Sequence, residues 1–231
     1  MATTKSFAMK TNEDLQRDVQ DAIKWEPLLN AAEIGVTVQN GVVTLTGVVD
    51  SYSKKTEAED AAKHVAGVKA VVEKIEIKFA NSWKINDSEI ADEVLNAFRG
   101  NTEVPGSKVK VKVEDGWVTL EGEFTWYYQK EAAGKSVKNL PGVKGVSNKI
   151  TIRSETHDAI EKREIERAFV RNWSMCDQTI DVHVTGKSVT LRGIVDSLYQ
   201  KEEAGHIARS APGVWSVDNE LVVEYDDEPS Q

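Results

Sequence analysis

The sequence predicts an α+β fold of three tandem small domains. Each domain reads helix, strand, strand, helix, strand, with a three-stranded mixed sheet covered by two helices. Three observations lead there. The phrase NGVVTLTGVVDSYSKK at 40–55 returns as DGWVTLEGEFTWYYQK at 115–130 and as TGKSVTLRGIVDSLYQK at 185–201. Gly47, Gly122 and Gly193 superpose within it, and each is followed 20 residues later by a Gly-Val pair at Gly67, Gly142 and Gly213. In each copy the apolar spacing also changes from helical to alternating.

The elements follow in order. Leu15, Val19, Ile23 and Ile90, Val94, Phe98 have helical spacing. The third copy keeps Ile165 and Phe169 but places Glu161 where the others have Leu15 and Ile90. Asn12, Asp87 and Thr156 read as N-caps, whose side chains accept from first-turn amides. Alternating Ile34-Val36-Val38, Val109-Val111-Val113 and Ile180-Val182-Val184 are first strands. Asn40-Gly41 and Asp115-Gly116 predict type I′ hairpin turns, with Gly186-Lys187 the weaker counterpart. The second strand turns Val43 and Leu45 to one face and Thr44 and Thr46 to the other. Gly47 reads as its end, where the chain bends or nears the next helix. Asp50-Ser51 and Asp196-Ser197 read as caps of the second helix, with Thr125 serving in the middle copy. Small residues such as Ala58, Ala61 and Ala62 let that helix lie close to the sheet, and the Gly-Val pair ends it and begins the third strand. The units are 12–78, 86–153 and 157–225. The joins Phe79–Ile85 and Ser154–Glu155 are short and not rich in Gly or Pro, which predicts closely neighbouring domains.

Composition excludes several function classes. The 231 residues are 40% hydrophobic and 29% charged, as in an ordinary globular protein. A net charge of −9 argues against broad electrostatic binding to nucleic acid. No apolar run reaches the roughly 20 residues of a membrane span. The opening MATTKSFAMK has no apolar core of signal-peptide length, which predicts cytoplasmic residence, or periplasmic residence for a chain whose leader has been removed. Cys176 is the only cysteine and has no evident His partner. His64, His157, His183 and His206 are not shared between copies, and there is no HxxxH or CxxC. No metal, cofactor or catalytic residue is therefore predicted. Gly142-Val143-Lys144-Gly145 spells GxxG but precedes a strand, unlike the nucleic-acid clamp that joins two helices.

The five-element unit, with Asn40-Gly41-Val42-Val43-x-Leu45-x-Gly47 and Gly67-Val68-x-x-Val71 in copy one and counterparts in the others, resembles the BON domain (bacterial osmotically-inducible-protein-Y and nodulation domain). The resemblance covers nearly the whole chain, in three copies. It implies no enzyme activity. It implies proteins linked to osmotic or envelope stress, transport-associated modules that bind phospholipid surfaces or partner proteins.

The copies differ in charge. Residues 11–79 hold 8 basic and 12 acidic side chains, 154–225 hold 8 and 13, and 80–153 hold 11 and 10. The middle copy alone is thus positive, at +1. Period two puts Lys108, Lys110 and Lys112 on the face opposite the core, with Trp117 beside them by parity. Trp126 stands where the other copies have Ser51 and Ser197, and is expected to be exposed; Tyr127, aligned with Tyr52 and Leu198, is expected in the core. Trp215 reads as surface, Trp25 and Trp173 as core, and Trp83 as a lock between domains. The predicted function is a non-enzymatic binding or scaffold protein that meets an anionic phospholipid surface or an acidic partner through Lys108, Lys110, Lys112, Trp117 and Trp126. The alternative is a small-ligand or ion sensor with its site between domains. The oligomeric state is left open.

Overall fold

The computed structural model describes residues 10–79, 85–153, 162–175 and 179–224. Trp83, Thr156, His157, Glu161 and Cys176 lie outside the described residues. Domain 1 runs α1 (Asn12–Trp25), β1 (Ile34–Gln39), β2 (Val42–Val49), α2 (Tyr52–His64) and β3 (Ala70–Ile77). Domain 2 repeats this as α3 (Asp87–Gly100), β4 (Val109–Glu114), β5 (Trp117–Phe124), α4 (Tyr127–Lys138), and a third strand in two pieces, β6 (Gly145–Asn148) and β7 (Thr151–Ile152). Domain 3 gives α5 (Lys162–Arg171), β8 (Ile180–Thr185), β9 (Ser188–Val195), α6 (Leu198–Ser210), β10 (Ser216–Asn219) and β11 (Val222–Val223). The fold is the mixed α+β architecture predicted, with three small mixed sheets. In each, the middle strand pairs antiparallel with the first and parallel with the third.

Each unit buries its own apolar core, and the buried residues are those of the predicted periodicity. Leu15, Val19 and Ile23 of α1 meet Val43 and Leu45 of β2, Ala58 and Ala62 of α2, and Ile75 of β3. The alanines matter because a larger side chain would lift the helix off the sheet and leave the apolar strand face wet.

In domains 1 and 2 the cap of the first helix lies one residue before the predicted one. Thr11 accepts from the Asp14 amide (3.1 Å) and Asn86 from the Glu89 amide (3.0 Å). Asn12 and Asp87 lie just inside the helix and do something else. Asn12 accepts from the Asn40 amide at 2.9 Å, and Asp87 accepts from the amides of Asp115 (2.8 Å) and Gly116 (2.9 Å). They hold the hairpin turns, whose central residues have positive φ: Asn40 51°, Gly41 77°, Asp115 50° and Gly116 80°. In the third turn Gly186 has φ 61° and Lys187 does not share the conformation. Ser51 and Ser197 cap the second helices as expected. Thr125 does not cap α4; Trp126 occupies the cap position, and the Gln129 side chain accepts its amide instead, at 3.2 Å.

Two glycine assignments change. Gly47 does not end its strand: β2, β5 and β9 all run through Gly47, Gly122 and Gly193. The close approach is to the start of the partner strand, not to the next helix. Gly47 pairs with Ile34, and a Cβ there would fall on the carbonyl oxygen of Glu33; at Gly193 it would fall on that of Thr179. The φ values of 141° and 138° independently favour glycine. Gly67, Gly142 and Gly213 lie in the turn between helix and third strand rather than at either boundary, and the following Val68, Val143 and Val214 are buried.

At each split of the third strand an asparagine ties it to the second helix. In domain 2, Asn148 donates to the carbonyl of Lys130 on α4 (2.7 Å) and accepts from Ile150; in domain 3, Asn219 donates to that of Lys201 on α6 (2.6 Å) and accepts from Leu221. Room for the amide comes from glycine on the helix: a Cβ at Gly134 would lie 3.2 Å from Asn148, and one at Gly205 3.0 Å from Asn219. Domain 1 has Glu73 and Glu59 at these positions, ties Glu73 to Lys55 at 2.6 Å, and keeps β3 whole.

Gly47→Ala should cost domain 1 about 2–4 kcal/mol, since both the backbone conformation and the Glu33 carbonyl oppose a methyl group. Gly100→Ala, in the last turn of α3 with nothing within 4 Å, should be neutral or stabilising by up to about 1 kcal/mol. Hydrogen exchange read for each domain separates the two.

Candidate functional site

The open face of the domain 2 sheet is built by β4, β5 and β6. Strand alternation sends Val109, Val111 and Val113 toward the helices and leaves Lys110, Lys112 and Glu114 exposed. On β5, Trp117 is 54% exposed while Val118 and Leu120 are buried. Its ring lies over Gly145 of β6, where any side chain would collide with it. The glycine thus gives the indole a flat backbone seat.

The five predicted site residues do not form one patch. Lys108 precedes β4, in a short 3₁₀ turn over Gly106–Lys108, and is exposed like Lys110 and Lys112. It lines a shallow open depression with Glu123, Phe124, Thr125 and Arg153. Trp126 follows the same end of β5, and Trp117 begins the other. Eight residues of strand separate the ends by about 25 Å. Lys112 and Trp117 thus lie toward one end of the sheet and Lys108 and Trp126 at the other, with Lys110, opposite Glu121, between them.

Nor is the face purely cationic. Lys110 pairs in register with Glu121, and the Lys112 ammonium lies 2.9 Å from the Glu114 carboxylate. Both partners of that pair are about two-thirds exposed, so it holds neither side chain firmly. At the far end Arg153 contacts Glu123 at 3.2 Å.

The other tryptophans divide. Trp215 is exposed as expected, with the Lys187 ammonium 4.1 Å from its ring centre. Trp25 and Trp173 are not core residues: they are 84% and 86% exposed. Trp25 stands two residues past Ile23, which at 100° per residue turns it to the far side of the helix. Trp173 lies two residues beyond the end of α5, outside the buried stripe of Ile165 and Phe169. Tyr127 is not in a domain core either; it is half-buried where α4 meets domain 3, and burial raises its phenol pKa.

Among the described residues, no group of three or more His, Cys, Asp or Glu side chains is placed to hold a metal ion. No described helix is long and apolar enough to cross a membrane.

Comparison with known proteins supplies the context. The family profile described as BON domain matches residues 11–78, 86–154 and 157–225. Over 124 residues the chain is 32% identical to osmotically-inducible protein Y of Escherichia coli (strain K12), covering 52% of this chain and 62% of that protein. Over 121 residues it is 31% identical to a 21 kDa hemolysin of Actinobacillus pleuropneumoniae, again covering 52% and 62%. The chain thus spans less than two thirds of the length of the curated relatives it matches. Among solved structures, the C-terminal domain of CdsD, the structural protein of the type III secretion system of Chlamydia trachomatis, aligns over 93% of this chain and all of its own, with 17% identity and a TM-score of 0.25.

Gly145→Ala should push the Trp117 ring off its seat. Iodide should then quench the protein's fluorescence more strongly, and the increase should vanish in a Trp117→Phe background.

Proposed function

The chain belongs to the BON domain family, in three tandem copies, and from that premise we propose that it is a non-enzymatic binding or scaffold protein of the osmotic stress response. Its relative named as osmotically inducible supports the stress connection. In this reading the open face of domain 2 meets an anionic phospholipid surface or an acidic protein partner. The observation that carries it is the face shared by Lys110, Lys112 and Trp117: two exposed ammonium groups and an exposed indole on one side of the sheet, in the only domain without net negative charge. Ammonium groups supply attraction to phosphate headgroups, and an indole settles at the boundary between headgroup and acyl chain. Lys108 and Trp126 are a second contact at the other end of the sheet, which a flat surface can reach together with the first.

The acidic neighbours set the strength of this contact. Glu114 and Glu121 offset part of the lysine charge, so binding is weak on neutral vesicles, rises with the anionic lipid fraction and falls as salt screens the surface.

Co-sedimentation with vesicles of phosphatidylglycerol and phosphatidylcholine tests this. At about 1 kcal/mol per lysine near the surface, Lys108→Glu/Lys110→Glu/Lys112→Glu should lose about a hundredfold or more in partition. Equal sedimentation of wild type and variant, or none by either, would sink the reading.

A further inference from the structure

The contacts between domains follow a rule that the repeat makes visible. Tyr52, Tyr127 and Leu198 hold the same repeat position, the first residue of α2, α4 and α6. Each reaches into a different domain. Tyr52 packs against the core of domain 2, its hydroxyl at the backbone of Val146. Tyr127 stands edge-on to His206 of domain 3, ring centres 5.6 Å apart. Leu198 packs against the core of domain 1. The order is cyclic: one to two, two to three, three to one.

A second position points the other way. Lys63, Lys138 and Arg209 are also repeat equivalents, near the ends of the same helices. Lys138 lies 3.6 Å from Asp60 of domain 1, Arg209 stands 5.9 Å from the Tyr127 ring of domain 2, and Lys63 lies 2.9 Å from Glu202 of domain 3. Each cation reaches back to the preceding unit, and the first unit reaches back to the third. Glu131 and Glu202, again equivalents, both extend forward: Glu131 to His206 at 2.8 Å, Glu202 to Lys63. Domain 1 has Thr56 at that position, and Asp60 supplies the carboxylate of its forward seam instead.

The contact between domains 3 and 1 joins units that are not neighbours in sequence, and it is well populated. The Gly67 amide donates to the Asp196 carbonyl at 3.0 Å. The His64 ring stacks on Tyr199 with centres 3.9 Å apart. Lys63, its side chain 17% exposed, is held between Glu59 and Glu202 at 2.9 Å each.

We propose that the start and end of the second helix form a head-to-tail docking surface for another copy of the repeat, and that the chain closes this surface on itself as a ring in which domain 3 docks onto domain 1. The closing step reuses the repeat positions of the two sequential seams and adds the Gly67–Asp196 hydrogen bond and the His64–Tyr199 stack. Tethering makes it intramolecular, so weak contacts suffice to keep it closed. The partner that fits the exposed end of domain 3 is domain 1 of the same chain.

Small-angle scattering with light scattering on the full chain tests this. Three units of about 11 Å radius give a radius of gyration near 17 Å as a closed triangle and about 21 Å as an open row. Wild type should be a monomer at the smaller value. Lys63→Glu and, separately, Leu198→Glu should shift the radius toward the larger value, by up to a quarter. Glutamate suits the first turn of α6, so the second variant leaves domain 3 able to fold, and unchanged far-UV circular dichroism checks both. The exchange Lys63→Glu/Glu202→Lys should return the small radius. Single variants as compact as wild type would overturn the proposal. So would an extended wild type, a dimer mass showing that the surface is filled by a second chain, or a folded exchange variant that stays open.

Discussion

Everything in this molecule rests on one steric contact: a backbone carbonyl pressed against a strand position that has no side chain. Glu33, Lys108 and Thr179 each place their carbonyl where a Cβ of Gly47, Gly122 or Gly193 would stand. The contact sets where the first strand meets the middle one, and with it the register that sends Val43 and Leu45 inward. Once the register is fixed, the face carrying helices and the face left open are fixed too, since a slip of one residue would exchange them. The candidate binding face exists because that alternation is enforced.

The second helix has two duties that compete. Its inner side must be small, with Ala58, Ala61 and Ala62 against the sheet. Its outer side carries the polar and aromatic groups that meet the other domains. Small inner residues bring it close to the sheet but provide little burial of their own. Contacts such as Tyr52 on domain 2 and Leu198 on domain 1 add apolar burial that a unit of this size is short of. Domain stability and domain arrangement are thus supplied by the same helices.

Much of this was legible in the sequence. The repeat register, the turns at Asn40-Gly41 and Asp115-Gly116, and the buried periodic residues all follow from local rules. Four things were not. The partner of Gly47 is set by pairing register across a hairpin, which a glycine by itself does not announce. Trp25 is bulky and apolar, and only its angular distance from Ile23 shows that it faces outward. The third concerns the lysine face: alternation places Lys110 and Lys112 outward, but the acids that offset them, Glu114 and Glu121, are seen only when the neighbouring strand and the ion pair are laid in. Alignment with Tyr52 and Leu198 places Tyr127 in a core, but the site it fills lies against another domain.

The amide bridges of domains 2 and 3 bear on how such repeats can be recombined. Asn148 is accommodated by Gly134 and Asn219 by Gly205, on a helix and on the strand that follows it, whereas domain 1 carries two glutamates there. A chimera that moved only the last strand of domain 2 into domain 1 would set an asparagine beside Glu59; moving only the helix would leave Glu73 facing a glycine. The helix and the strand after it are therefore a single unit of exchange, and a crossover between them is penalised even though the three domains share one fold.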